Sequence, residues 1–194
     1  MLEEFMRKPL SFPAIVALLG CALVSCKRDA PSADAVAEPQ GKPAALTQSY
    51  TSKNGLLTAH YPADFAASTA GTSSVVVTRN LPGGLDEAMA FVPIEKPISG
   101  ELAEFARVVG AAEVKELNSY VETSSLPGTC VGAPAIETTG TWKSKSGTLT
   151  YLRKACHFIH NGHGYSIAYS VPSPHAAEEE PTLHAIREAT QLNR

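Results

Sequence analysis

The stretch LTYLRKACHFIHNGHGYSIAYSV, residues 149–171, decides the fold class. Asn161-Gly162 is a two-residue turn of the kind that joins antiparallel strands, because both residues tolerate a positive φ. After the turn, Tyr165, Ile167, Tyr169 and Val171 alternate with Ser166, Ala168 and Ser170, the period of two of a half-buried strand. Before it, Leu149, Tyr151, Arg153, Ala155, His157 and Ile159 share one strand face. Pro172 and Pro174 close the second strand.

Working upstream, Ser146-Gly147 is another turn, and Ala135 to Trp142 alternates as the partner strand. Val114 to Glu122 is read as a further strand. Before it, Leu102, Phe105, Ala106 and Val109 recur at i, i+3, i+4 and i+7, one face of a helix. Ser99 is its expected N-cap and Gly110 its expected stop. Glu101 and Glu104 sit where the helix dipole favours negative charge. The first part of the chain reads as short strands: Leu57 to Tyr61 after the Asn54-Gly55 turn, Val75 to Thr78, and Ala88 to Val92 after Leu81-Pro82-Gly83-Gly84. Ala88 to Val92 is apolar on both faces and so belongs inside a sheet. A last helix is expected from about Pro181, with Leu183, Ile186 and Thr190 as its inner stripe and Glu178–Glu180 complementing its dipole. Strands, helix, strands, helix is an α+β pattern, an antiparallel β-sheet flanked by helices.

The segment Leu57-Thr-Ala-His-Tyr-Pro-Ala-Asp-Phe65 resembles the Tyr-Pro-x-x-Trp/Phe opening of PsbP-like domains, a family that includes DcrB-like bacterial lipoproteins. Gly162-His-Gly-Tyr165-Ser-Ile-Ala-Tyr169 is similar to the penultimate hairpin of the same family, and a closing helix follows. The resemblance covers roughly residues 48–192 and implies a PsbP-like α/β/α sandwich. It implies no single activity, since members range from supporting photosystem II to binding a small GTPase.

The 194 residues divide unevenly. Arg7 and Lys8 precede a thirteen-residue apolar run, Phe12–Val24, shorter than the roughly 20 residues of a membrane span. This is the pattern of a secretory signal. It ends Leu23-Val24-Ser25-Cys26, which resembles the bacterial lipobox, so residues 1–25 are expected to be removed and Cys26 to carry the lipid. Leu18-Leu19-Gly20-Cys21 is a poorer match, because Ala22, Leu23 and Val24 would continue the apolar run past the cut. Met6 offers an alternative start, followed directly by Arg7-Lys8.

With Cys26, residues 26–47 form a tether rich in Pro and Ala, too poor in apolar groups to offset the entropy of ordering. Extended, it would reach on the order of 60 Å. Residues 48–194 are left as the folded domain. Acyl chains on Cys26 would hold the protein at a membrane. Lys27, not Asp, follows Cys26. By resemblance to lipoprotein sorting this favours the periplasmic face of the outer membrane, or the cell surface, over the inner membrane.

An exported domain with two cysteines predicts a Cys130–Cys156 disulfide. The Ser146-Gly147 register places Cys156 opposite Glu137, and Cys130 is expected in a loop around Gly128, Gly132 and Pro134 that folds back to reach it. His157, His160 and His163 flank the Asn161-Gly162 turn. His160 and His163 would face each other across it, a possible pair of Zn²⁺ or Cu²⁺ ligands, but His157 points to the opposite face and a metal site needs three or four ligands. Lys143, Lys145, Arg153 and Lys154 gather on one hairpin, and are read as a solvated strand face in preference to a patch for anionic lipid or an acidic partner. Asp64 is read as a turn residue.

The net charge of −3 lacks the basic excess of a nucleic-acid binder. The sequence has no G-x-S-x-G, H-E-x-x-H or P-loop. These readings give an expected function. It is a membrane-anchored envelope lipoprotein whose domain is a non-enzymatic binding or accessory module for an envelope protein, with no cofactor. The alternative is a metal-binding or hydrolytic domain built on His157, His160 and His163.

Overall fold

The computed structural model describes residues 42–70, 74–97 and 100–193. The expected signal, the expected lipidation site Cys26 and most of the expected tether lie outside the described residues, as does Ser99. Among the described residues, ten strands and two α-helices follow in the order β1 (Gln48–Thr51), β2 (Leu57–Tyr61), β3 (Ala66–Ala70), β4 (Ser74–Leu81), β5 (Leu85–Pro97), α1 (Leu102–Glu116), β6 (Val121–Cys130), β7 (Ala133–Lys143), β8 (Thr150–His160), β9 (His163–Pro172), α2 (Ala176–Glu188) and β10 (Gln191–Leu192). No helix among the described residues is long and apolar enough to cross a membrane.

β3 to β9 form one seven-stranded sheet in the order β3-β4-β5-β9-β8-β7-β6, and β1, β2 and β10 form a small second sheet. Every pairing is antiparallel. The β8–β9 hairpin has the expected register, with His160 opposite His163 and Phe158 opposite Tyr165. Asn161 (φ 51°) and Gly162 (φ 76°) take the two positive-φ positions of its turn.

The alternation on β8 and β9 separates two unlike sheet faces. Cys156, Phe158, Ile167, Tyr169 and Val171 face α2 and the small sheet, and with Leu57, Val75, Phe91, Leu183 and Ile186 they make the main core. Phe158 and Tyr165 stack there, ring centres 5.2 Å apart. Each large side chain removed from water contributes about 1.5–3 kcal/mol. The opposite face carries Arg153, Ala155 and His157 on β8 and lies under α1.

Several expectations are corrected. β9 is buried on both faces, not one, because it lies between β5 and β8 and its α1-side residues are the small Ser166, Ala168 and Ser170. α1 does not stop at Gly110. A Cβ there would meet only Glu122 Oε2, at 3.8 Å. The roughly 1 kcal/mol cost of a helical glycine is met by the packing of the next turn, where Glu113 pairs with Arg153. The strand expected over Val114–Glu122 is therefore split, with residues 114–116 finishing the helix and β6 starting at Val121.

α2 begins at Ala176, not near Pro181, which sits inside it. Two ion pairs made by Glu179 and Glu180 hold the turns that precede the proline. Thr190 is buried just beyond the helix, its hydroxyl donating to Ile186 O at 3.0 Å. At the other end of the domain, contacts begin before residue 48: Ala44 N donates to Thr182 Oγ1 (3.1 Å) and Leu46 packs against the core.

Candidate functional site

Cys130 and Cys156 are joined, as expected, with their Cα atoms 6.3 Å apart and both residues fully buried. Cys156 stands opposite Glu137. Cys130 is not in a loop, however. It is the last residue of β6, and Val131-Gly132 turns directly into β7, both residues at positive φ. The β6–β7 hairpin itself brings the cysteine over β7 to β8.

The three histidines do not come together. His160 and His163 face each other across their turn, while His157 is fully buried on the α1 side, its Nε2 3.3 Å from Thr138 Oγ1. Burial pushes His157 below the usual imidazole range and keeps it neutral. Among the described residues no three His, Cys, Asp or Glu are arranged to hold a metal ion.

The four basic residues also part company. Arg153 and Lys154 point to opposite faces of β8 and are paired with Glu113 and Glu180, which leaves Lys143 and Lys145 beside the hairpin tip. Asp64 does more than turn the chain, since its carboxylate binds Arg79 at 2.8 Å.

Two clefts, each of about 430 Å³, lie on the two sides of the sheet. The first lies between α2 and strands β7–β9, and Pro43 forms part of its wall. Its polar groups are coupled in sequence. Lys154 pairs with Glu180, which also accepts from the Tyr169 hydroxyl at 3.0 Å. Arg187 donates to Glu137 (3.2 Å) and Glu188 (3.0 Å), and its Nη2 lies 3.2 Å from His184 Nδ1.

Burial, reinforced by the neighbouring Glu180, pushes the Tyr169 phenol far up, so it stays protonated and acts as a donor. Pro43, Pro181 and Ala185 add apolar wall. Such a mixture of apolar surface and a few convergent polar groups is the usual make-up of a binding cleft. The cleft carries charges of both signs, on the sheet and on α2.

Beside this cleft, at the start of α2, Arg79 on β4 gathers three carboxylates. Its Nε donates to Glu87 (2.6 Å), its Nη1 to Asp64 (2.8 Å) and its Nη2 to Glu179, and the guanidinium lies 4.7 Å from the centre of the Phe65 ring. Glu87 is fully buried, and burial raises its carboxyl from the ordinary 4.5 to about 7.

The second cleft runs between α1 and β6–β7, lined by small residues such as Ala106, Gly110 and Ala111, with Arg107, Glu122, Ser125 and Thr138 as polar groups. Behind it Glu113 and Arg153 pair at 2.6 Å, and Trp142 Nε1 donates to Ser170 Oγ at 3.2 Å. Sequence reading missed the Glu113, Arg79 and Glu179 partnerships. Only the direct opposition of Arg79 and Glu87 across a hairpin was within its reach, through the Pro82-Gly83-Gly84 turn.

No protein-family profile and no curated protein matches the chain. Solved structures do. LpqN, a protein involved in cell envelope biogenesis of Mycobacterium tuberculosis, superposes with a TM-score of 0.52 at 13% identity, over 71% of this chain and 83% of LpqN. Cyanobacterial PsbP (CyanoP) from Synechocystis gives 0.52 at 10% identity, over 75% of this chain and 91% of CyanoP. A protein from Bacteroides thetaiotaomicron gives 0.51 at 15% identity, over 80% of this chain, which spans about half (49%) of that longer chain. At these identities the likeness is one of fold: the described residues have the α+β fold of the PsbP-like structures.

Proposed function

We propose that the chain is a cell-envelope lipoprotein, anchored through acyl chains on Cys26, whose PsbP-like domain is a non-enzymatic module that binds an envelope protein at the α2 cleft. The observation that carries the binding reading is the cleft itself: about 430 Å³, walled by α2, with Lys154, Glu180, Glu137 and Arg187 holding both signs of charge beside the apolar Pro43, Pro181 and Ala185. The lipobox ending in Cys26 supports the anchor, and the fold shared with LpqN, a protein of envelope biogenesis, is consistent with the setting. Lys27 favours the outer membrane or cell surface.

Two measurements on the full chain test this. Cys26→Ala should abolish fatty-acid labelling and release the protein into the soluble fraction; labelling that persists refutes the anchor. A photo-crosslinking residue at Ala185, in the cleft wall, should capture one reproducible envelope protein, while the same residue at exposed Val108 on α1 should not. Capture from Val108 alone would place the partner on the other face.

A further inference from the structure

The Arg79 cluster ties the first turns of α2 to the sheet. The charged groups that face Glu87 are Arg79 from β4, Asp64 from the turn after β2 and Glu179 from α2. One cation therefore serves three carboxylates. Asp64 is 55% exposed and screened by water, whereas Glu87 is wholly buried and Glu179 nearly so, at 12%. The Oε2 of Glu87 has no hydrogen-bond partner among the described residues. When ionised, Glu87 competes with Glu179 for Arg79 and repels it through a medium of low dielectric. When protonated, it leaves the guanidinium to Glu179 and Asp64. The residues that follow Glu179 on α2, Glu180 and Pro181, are walls of the cleft.

We propose that the Arg79–Glu87–Glu179 cluster is a proton-sensitive latch that docks the first turns of α2 more tightly in acidic than in alkaline surroundings, and so regulates the α2 cleft. Its regulatory meaning rests on the reading of that cleft as the binding site. The sign follows from burial and from the Glu179 carboxylate of α2, both of which favour the protonated form of Glu87. A carboxyl raised to about 7 in the fold contributes its stability fully below the ordinary carboxylate range and loses it as the pH rises through about 7.

Amide hydrogen exchange of residues 176–182, measured on the full chain without ligand and normalised to intrinsic rates, reads the latch directly. Between about pH 6 and about pH 8 the opening of this segment should become roughly tenfold more frequent, the equivalent of one charge-assisted hydrogen bond. Glu87→Gln should hold it at the acidic level at both pH values. Glu179→Gln, which leaves the Arg79–Glu87 pair in the sheet, should open it at both, and this variant decides the matter if Glu87→Gln does not fold.

Equal protection of the wild type at both pH values, or a pH step that survives either substitution, overturns the latch. The measurement needs no partner. A cleft that binds nothing would leave the latch standing, and failure of the latch would leave the crosslinking result standing.

Discussion

The two faces of β8 are built from alternate residues of one strand, yet they are stabilised in different ways. Toward α2, Cys156 and Phe158 join a core of large apolar side chains, and Leu183 and Ile186 of the helix are fully buried against it. Toward α1, the strand offers Arg153, Ala155 and His157, and the helix answers with Phe105, Ala106 and Glu113 as its buried residues. One face is held by area removed from water, a term that is non-directional and cumulative. The other combines a smaller apolar contribution, from Phe105 and Ala106, with a few directional polar contacts. Loss of one group should therefore be graded on the first face and depend on its partner on the second.

The largest effect belongs to the α2 face. Phe158→Ala removes a fully buried ring that stacks on Tyr165 and should cost about 4 kcal/mol. The equivalent cut on the other face, Tyr151→Ala, removes a half-buried ring stacked 4.5 Å from Trp142 and should cost less than half as much. Urea denaturation of both variants checks this. Equal losses would mean that the α1 face is as much a core as the other.

The next effect tests the partner dependence of the α1 face. Glu113→Leu leaves Arg153 buried without its carboxylate and should cost about 3 kcal/mol. Adding Arg153→Met to the same chain should recover most of that loss, because an apolar pair of similar volume replaces a desolvated ion pair. A double variant as unstable as the single one would show that the pair is not what docks α1.

What could be read from the sequence follows the same division. The hairpin at 149–171 was legible because its alternation and its Asn161-Gly162 turn are local signals, and the opposition of His160 and His163 followed from them. The disulfide was legible from the count of cysteines, given the expectation of export. α1 beyond Gly110 was not, since the contact that extends it joins Glu113 to Arg153, forty residues away. β3, Ala66–Ala70, was missed because AASTA has little that marks a strand, and it is made by pairing with β4. The candidate cleft was missed for a similar reason. Lys154 reads as one of four hairpin cations until the register turns it to α2 and Glu180, while the adjacent Arg153 turns to α1. Glu178–Glu180 read as a dipole complement, which Glu178 and Glu179 are, but the ion pairs of Glu179 and Glu180 are tertiary.

The smallest effect concerns the turns that end the two hairpins. Asn161 and Val131 both sit near φ 51°, but asparagine enters the left-handed region readily and a β-branched valine does not. Val131 is nevertheless packed against the α2-side core. The backbone penalty of about 1–2 kcal/mol and the burial of a half-covered valine, of the order of 1 kcal/mol, oppose each other. Val131→Gly should therefore change stability by no more than about 0.5 kcal/mol, whereas Val77→Gly, at a fully buried strand position, should cost several. A gain well above 1 kcal/mol for Val131→Gly would mean that the valine contributes no packing and that the apolar core ends at Cys130. A loss of similar size would extend the core into the turn and place the boundary between the two kinds of stabilisation beyond β6.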